Sequence, residues 1–386
     1  MDPRLIILQP TPYCNLWCTY CYLSHRNDRS LMSAEVLEAV REKILAQLPA
    51  DTAAGIVWHA GEPTAAPIEW YERAYACLEP DRPRNSNFAM QTNGITIDAR
   101  WIDLFRRTHT EVSLSIDGPE RFHDARRLTR NGKPTWHLAL RGLKRLQDAE
   151  FEPRVITVLH PDCLSSAPEF FDFYRDNGIQ DVSFSVDELE GSNRSSSFGG
   201  RDYKSALTDF LVSMLALAYR SGYPLYIREV ERIAGILAGA PLVGNEQVEP
   251  WAALVIAANG NVSTFSPELM EVRAPEYNNF IFGNILVDDL PSLKCNSSFK
   301  MAEKEVARGI VACESCRYFG VCGGGSPVNK YCEKGGLAAT ETDFCRLTTQ
   351  ASADALLRFL SSHNLSPGSF SPPNYPAPNS LAGERG

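Results

Sequence analysis

Three cysteines near the start of the chain are spaced so that they could hold a metal cluster. Cys14, Cys18 and Cys21 form a C-x3-C-x2-C run that follows the apolar stretch Leu5 to Leu8. Such a run gives a 4Fe–4S cluster three thiolate ligands and leaves one iron open to another ligand. A zinc site is the alternative, and His25 is the only nearby side chain that could complete it.

A second cysteine set lies towards the other end of the chain. Its pattern is C-x2-C-x5-C with one later cysteine, and its members are Cys313, Cys316, Cys322 and Cys345. Four thiolates suit a closed cluster for electron transfer or structural support, and a structural zinc is the alternative. Cys295 and Cys332 are spare thiols with no assigned partner.

Length and composition restrict the class of protein. With 386 residues, the chain can form a barrel domain and a second domain. The net charge of −9 argues against a nucleic-acid partner, which would require a basic face. The sequence has neither a long uninterrupted apolar stretch nor a signal peptide, so we predict no membrane partner and a cytoplasmic location.

Short apolar runs alternate with helical patterns over the first half of the chain, which predicts an α/β fold with a parallel sheet. Strands are expected at 5–8, 55–58, 87–90, 112–116, 155–158 and 182–186. Helices are expected near 33–48, 67–78, 98–107, 136–149 and 165–176, with Ser33 and Asp98 as N-caps. Cys14, Cys18 and Cys21 would then follow the first strand, where α/β barrels carry catalytic loops.

The first cysteine run, with an aromatic residue before its last cysteine, resembles the signature of the radical S-adenosylmethionine (radical SAM) superfamily. This resemblance implies a partial (β/α)6 barrel in which SAM binds the open iron and yields a 5′-deoxyadenosyl radical. It also implies an external one-electron reductant of the flavodoxin or ferredoxin type. Tyr20 would pack beside the adenine, and a core aromatic is the alternative reading of that residue.

Polar segments after the next strands extend the resemblance. His59-Ala-Gly-Glu-Pro63 resembles the G-G-E-P segment, so that Glu62 would accept a hydrogen bond from the methionine ammonium of SAM. Taken alone, Gly-Glu-Pro is an ordinary turn. By the same resemblance, Asn93 would border SAM or substrate, Ser115 would touch the ribose, and Arg127 would bind the carboxylate or ribose of SAM.

The second cysteine set resembles the SPASM domain of peptide-modifying radical SAM enzymes, which holds two auxiliary clusters. The pattern departs where Ser326 and Phe265 replace expected cysteines. We therefore expect one auxiliary 4Fe–4S cluster, held by the four thiols of that set. The expected domains are a radical SAM partial barrel at 1–225, a bridge at 226–254, a SPASM-like domain at 255–350 and a disordered tail at 361–386.

Segments between residues 5 and 350 look most like the cyclophane-forming maturases of the GrrM type, which act on ribosomal precursor peptides. Among them are Cys322-Gly-Gly-Gly-Ser-Pro-Val-Asn-Lys330 and Thr340-Glu-Thr-Asp-Phe-Cys345. The resemblance implies a cross-link between an aromatic ring and a β-carbon. Glu268 is the candidate base, and a solvated loop carboxylate is the alternative. The rival functions are an anaerobic sulfatase maturase that forms formylglycine and a metal-binding interaction protein without activity.

Overall fold

The computed structural model describes residues 3–240 and 245–369, and one ten-stranded sheet runs through it. The strands are β1 (Leu5–Leu8), β2 (Gly55–Trp58), β3 (Asn87–Thr92), β4 (Glu111–Ser115), β5 (Arg154–Leu159), β6 (Asp181–Val186), β7 (Tyr226–Ile227), β8 (Ala253–Ile256), β9 (Asn261–Thr264) and β10 (Gly283–Asn284). Their order across the sheet is β10-β9-β8-β1-β2-β3-β4-β5-β6-β7. The first six strands are neighbours in chain order and parallel, as the sequence predicts.

Some helices are crossover connections between the parallel strands of the barrel, and others belong to the C-terminal region. They are α1 (Ala34–Lys43), α2 (Ile68–Leu78), α3 (Ala99–Thr108), α4 (Glu120–His123), α5 (Trp136–Asp148), α6 (Ala167–Asp176), α7 (Lys204–Ser221), α8 (Arg228–Leu237), α9 (Leu290–Cys295), α10 (Ser297–Cys313), α11 (Phe319–Cys322), α12 (Pro327–Lys334), α13 (Asp343–Cys345) and α14 (Ala351–His363). The two predicted N-caps are confirmed: Ser33 accepts a hydrogen bond from Val36 N, and Asp98 accepts bonds from Arg100 N and Trp101 N.

Alternation along the strands separates the core from the interior of the partial barrel. In β3 every second side chain is buried, with Phe88 and Met90 in the hydrophobic core and Gln91 facing the opposite side. The same alternation directs Ile156 and Val158 of β5 inwards. Because the side-chain period of a strand is two, the inward set reaches the lumen while the outward set packs under the helices.

The C-terminal region is joined to the barrel more closely than the sequence indicates. Strand β8 pairs in parallel with β1, so the hairpin of β8 and β9 extends the barrel sheet itself. Strand β7 extends the opposite edge by pairing with β6, and α14 packs against α7 and α8 on that side. The predicted bridge, 226–254, therefore includes a strand and a helix of the barrel assembly.

The expected disordered tail at 361–386 requires correction at its start. Residues 361–363 form the last turn of α14, and Asn364 caps the helix in the left-handed conformation. A 3-10 turn follows at Pro367–Ser369. The helix continues because Phe359 and Leu360 are buried against the rest of the chain. Residues 370–386 of the predicted tail lie outside the described residues. Within 3–240 and 245–369, no helix has the length and apolar character needed to cross a bilayer.

Candidate active site

One large cavity opens at the carboxyl ends of the barrel strands. It has a volume of about 810 Å³ and is lined by the first cysteine set, by loops after β2 to β6 and by the C-terminal region. Cys322 and Cys345 from the second cysteine set lie on its wall as well. The cavity brings together most of the residues that the sequence singled out, including Tyr20, Glu62, Asn93, Ser115, Arg127 and Glu268.

The loop that carries the first cysteine set is fixed to its neighbours by main-chain hydrogen bonds. Trp17 N donates to Leu128 O at 2.8 Å, and Glu62 N donates to Tyr13 O at 2.7 Å. Burial raises the pKa of all three thiols, that of Cys18 to about 11. Metal binding requires the thiolate, so ligation here would release protons.

Glu62 is buried at the end of β2, and its carboxylate is held by several donors. Thr64 N donates to Oε1 at 2.9 Å, and Asn93 N donates to Oε2 at 2.8 Å. The Thr92 hydroxyl donates to Oε1 as well. Burial raises the pKa of Glu62, and these donors act against that rise. The carboxylate therefore occupies a fixed position on the cavity wall.

Asp117 connects several predicted site residues and was not itself predicted as one. Its Oδ2 lies 2.9 Å from Arg127 Nε and accepts a hydrogen bond of 2.7 Å from the Tyr20 hydroxyl. Burial alone would raise the pKa of Asp117, but the Arg127 guanidinium holds it below the usual value. The sequence did contain a signal for Asp117, because this carboxylate lies only two residues beyond the end of β4.

Asn93 and Ser115 take part in hydrogen bonds between adjacent loops and strands. Asn93 Nδ2 donates to Asn15 Oδ1 at 2.8 Å, which joins the loop after β3 to the first cysteine loop. Gln91 Nε2 donates to Ser115 Oγ at 2.9 Å across β3 and β4. Both predicted residues therefore lie on the cavity wall beside the first cysteine set.

Cys322 of the second cysteine set ends α11, and a glycine turn follows it directly. Gly323, Gly324 and Gly325 all have positive φ angles, a conformation that glycine adopts without strain. Asn245 Nδ2 fixes the turn by donating to Cys322 O at 3.1 Å and to Gly325 O at 2.7 Å. Burial raises the pKa of Cys345 to about 11, and the nearby thiols of Cys322 and Cys316 add to the rise.

Each cysteine set has one buried cation beside a thiol. Arg127 Nη1 lies 3.9 Å from Cys18 Sγ, and Lys330 Nζ lies 3.5 Å from Cys313 Sγ. Lys330 is only 2% exposed, its other acceptor is Gly309 O, and no ion pair of the described residues includes it. A buried ammonium group requires a compensating negative charge, so this environment fits thiolates that carry a metal cluster.

Phe265 fills the place where the resemblance requires another thiolate. It is 1% exposed, has a φ of 75° and stacks on Phe299 with a ring separation of 6.5 Å. The next residue, Ser266, is buried too. Cys295 is exposed at the end of α9, and Cys332 is half-buried in α12. No three or more His, Cys, Asp or Glu side chains within 3–240 and 245–369 converge on a position for a single metal ion.

Glu268 follows β9 and projects into the cavity from the first turn of the 3-10 helix Pro267–Glu271. Within the described residues it forms no hydrogen bond or ion pair. Burial lowers the pKa of the His59 imidazole, and the nearby Glu268 carboxyl group acts against that decrease. Sequence reasoning did not identify two further carboxyl groups on the same cavity, those of Glu188 and Glu190 after β6. Their only sequence signal is their place beyond a strand end.

Gly61 is predicted to be essential for the contact between the β2 loop and the first cysteine loop. A Cβ at this residue would lie 2.4 Å from Thr11 O and 2.5 Å from Tyr13 O. We expect Gly61→Ala to lower the free energy of unfolding by about 3 kcal/mol, because main-chain atoms cannot move aside easily. Urea denaturation of the cluster-free protein measures this.

Gly132→Ala is the matched control for that substitution. Gly132 also has a positive φ, of 71°, but a Cβ there would have nothing within 4 Å. The Gly132→Ala substitution should lower the free energy of unfolding by only about 1 kcal/mol, which is the cost of the left-handed conformation for alanine. Equal losses in the two variants would show that the close approach at Gly61 contributes nothing.

Comparisons with known proteins agree with this geometry. Residues 8–174 match the Radical SAM superfamily. The Uncharacterized protein sll1766 of Synechocystis sp. (strain ATCC 27184 / PCC 6803 / Kazusa) is 35% identical over 362 residues, which cover 92% of this chain and 91% of that protein. The Serine-type anaerobic sulfatase-maturating enzyme of Bacteroides thetaiotaomicron is 29% identical over 226 residues, which cover 55% of this chain and 54% of that enzyme.

Solved structures share the fold. Native anSMEcpe with bound AdoMet and Cp18Cys peptide superimposes with a TM-score of 0.76 at 19% identity, covering 94% of this chain and 98% of that one. Streptococcus suis SuiB bound to precursor peptide SuiA superimposes with a TM-score of 0.64 at 16% identity, covering 89% of this chain and 76% of that one. These structural likenesses show the fold. The match of residues 8–174 to the Radical SAM superfamily and the alignment along most of the Synechocystis protein show that the chain belongs to the radical SAM superfamily.

Proposed function

We propose that this radical SAM enzyme modifies a ribosomally synthesised precursor peptide by joining an aromatic ring carbon to a β-carbon, which forms a three-residue cyclophane. The superfamily uses a 4Fe–4S cluster and SAM, which together supply one-electron chemistry for removing a hydrogen atom from an unactivated carbon. We further propose that a cytoplasmic reductant of the flavodoxin or ferredoxin type delivers the electron.

The observation that carries this proposal is the shared cavity. Cys14, Cys18 and Cys21 line one part of it, and Cys322 and Cys345 line another. A cross-link requires hydrogen removal from one residue and electron removal from another, so both redox sites must reach a single bound peptide. A volume of about 810 Å³ lies within the range of sites that enclose a cofactor or ligand.

The residues of the cavity wall suit the SAM-binding roles suggested by the family resemblance. Glu62 presents a carboxylate that could accept a hydrogen bond from an ammonium group, and its own donors keep it in place. Arg127 presents a guanidinium that could bind a carboxylate or a ribose hydroxyl, and Asp117 orients it. Tyr20, Asn93 and Ser115 complete the proposed SAM site.

One auxiliary cluster, held by Cys313, Cys316, Cys322 and Cys345, is part of the proposal. Lys330 beside Cys313 provides positive charge where a cluster with four thiolate ligands would be negative. Phe265 occupies the core at the position where a second auxiliary cluster would need a ligand. Glu268 is the proposed proton acceptor, since it faces the cavity and has no partner within the described residues.

An anaerobic sulfatase maturase is the second candidate, and its support is the 29% identity with the Bacteroides enzyme. Formylglycine formation from serine and cyclophane formation each remove two hydrogen atoms, so mass alone does not separate them. By resemblance, such maturases place an aspartate directly after the upstream cysteine. This chain has Ser266 there, with a buried hydroxyl that has no hydrogen-bond partner among the described residues.

Ring deuteration separates the two functions. A candidate precursor peptide from a small open reading frame near the gene, made with ring-deuterated aromatic residues, should lose one hydrogen and one ring deuterium, about three mass units, because rearomatisation expels a ring hydrogen. Tandem mass spectrometry locates the loss. A serine-containing sulfatase peptide serves as the control and should remain unmodified. Retention of every ring deuterium in a product that lacks two hydrogens would contradict the cyclophane proposal.

A further inference from the structure

Two carboxyl groups on the cavity wall share an amide partner. Glu188 and Glu190 follow β6, and Asn329 of α12 donates through Nδ2 to Glu188 Oε2 at 2.7 Å and to Glu190 Oε1 at 3.3 Å. The two carboxyl groups also contact each other. We use the name acceptor pocket for Glu188, Glu190, Glu268 and Asn329, all of which line the cavity.

The acceptor pocket is built from three carboxyl groups and one amide. No ion pair within residues 3–240 and 245–369 includes Glu188, Glu190 or Glu268. Burial raises the pKa of Glu188 and of Glu190. The neighbouring carboxyl groups of Glu188 and Glu268 raise the pKa of Glu190 further. Carboxyl groups placed together in a buried site without a cation are costly unless a ligand supplies the opposite charge.

Asn329 gives an independent indication of a ligand. Its side chain is 1% exposed, and its Oδ1 has no hydrogen-bond partner within the described residues. Buried amide oxygens are nearly always paired, so an unpaired one on a cavity wall marks a place for a donor. His59, on the same wall, likewise has a buried Nδ1 without a partner.

We propose that the acceptor pocket binds the cationic side chain of a lysine or arginine in the peptide substrate. Ammonium and guanidinium groups carry only donors and a positive charge, and the pocket offers carboxyl oxygens and an amide oxygen. The inference rests on the proposed function, since it assumes a peptide in this cavity. Bound there, the basic residue would fix which neighbouring residue reaches the first cysteine set.

Binding of short peptides to the reconstituted enzyme tests the proposal without requiring turnover. The probes are acetyl-Gly-Xaa-Gly-amide peptides with lysine, arginine or norleucine at Xaa, and isothermal titration calorimetry measures their affinity. We expect the lysine and arginine peptides to bind at least about tenfold more tightly than the norleucine peptide. A norleucine peptide with a free N-terminus shows whether a terminal ammonium serves equally well.

The Glu188→Gln/Glu190→Gln variant should reduce that preference to about twofold or less, since glutamine keeps the shape and removes the charge. Glu246→Gln is the matched control, because Glu246 lines the same cavity but already pairs with Arg4 at 3.5 Å, and it should keep the preference. Peptide-independent SAM cleavage by each variant verifies that it folds.

Equal affinity for the three acetylated peptides, or a preference that survives in the double variant, would overturn the proposal. Neither result bears on whether the enzyme forms a cross-link, which the ring-deuterium measurement decides. Conversely, a product other than a cyclophane would leave the measured cation preference unchanged. The two inferences can therefore fail separately.

Discussion

Replacing Cys14, Cys18 and Cys21 together by alanine should remove about half of the iron from the anaerobically reconstituted enzyme and abolish the formation of 5′-deoxyadenosine. The native protein should hold about eight irons, because two complete ligand sets are present, and the variant about four. The second cysteine set lies on α10 to α13, outside the loop that is changed, so it should keep its metal. Iron analysis and chromatography of the SAM cleavage products measure both effects.

A control with the same number of substitutions uses three of the four thiols that belong to neither set. Cys77, Cys163 and Cys295 lie apart from the cavity, and their replacement by alanine should leave the iron content unchanged. About twelve irons in the native protein would show that a third cluster forms despite Phe265. Four irons with one zinc would support the zinc alternative for the second set.

Cys316→Ala should separate the two redox sites. The first cysteine set and the proposed SAM site are unchanged in this variant, so 5′-deoxyadenosine formation should stay within about twofold of the native rate. The cross-linked peptide should decrease by about a hundredfold or more, because no auxiliary cluster would be left to accept the electron released when the ring regains aromaticity. Quantifying both products from the same anaerobic reaction measures the separation.

Cys295→Ala is the matched control, since Cys295 and Cys316 are both exposed cysteines of the C-terminal region. It should leave both products at native levels. Full cross-link formation by Cys316→Ala would remove the auxiliary cluster from the mechanism. Loss of 5′-deoxyadenosine as well would show that the second cysteine set supports the fold of the whole cavity.

The barrel strands were predictable to within about two residues at each end because their signals are local. Every residue of the run Val155 to Val158 is β-branched, and the structure extends the strand only to Arg154–Leu159. The N-caps Ser33 and Asp98 depend on a hydroxyl or carboxylate next to the first helical turn, which is also a local pattern. The motifs that follow such strands therefore lie on the wall of one cavity.

Features that depend on distant pairing could not be predicted. No strand was predicted at Ala253–Ile256, and nothing in that segment identifies β1 as its partner. Asp117 belongs to the same segment as the predicted site residue Ser115. Its contacts with Tyr20 and Arg127 form only because the loops after β1 and β4 meet. Asn329 lies 141 residues beyond Glu188 and 139 beyond Glu190, and only the fold shows that the three share one site.

The pairing of β1 with β8 also has a consequence for how the protein is made. Leu5 pairs with Ala253, roughly 250 residues further along the chain, so one edge of β1 has no partner until about two thirds of the chain has left the ribosome. An unpaired parallel edge is a template for misassembly, and contacts of such high sequence separation form slowly. We therefore expect the N-terminal portion of the chain to complete its sheet only when the C-terminal region is present.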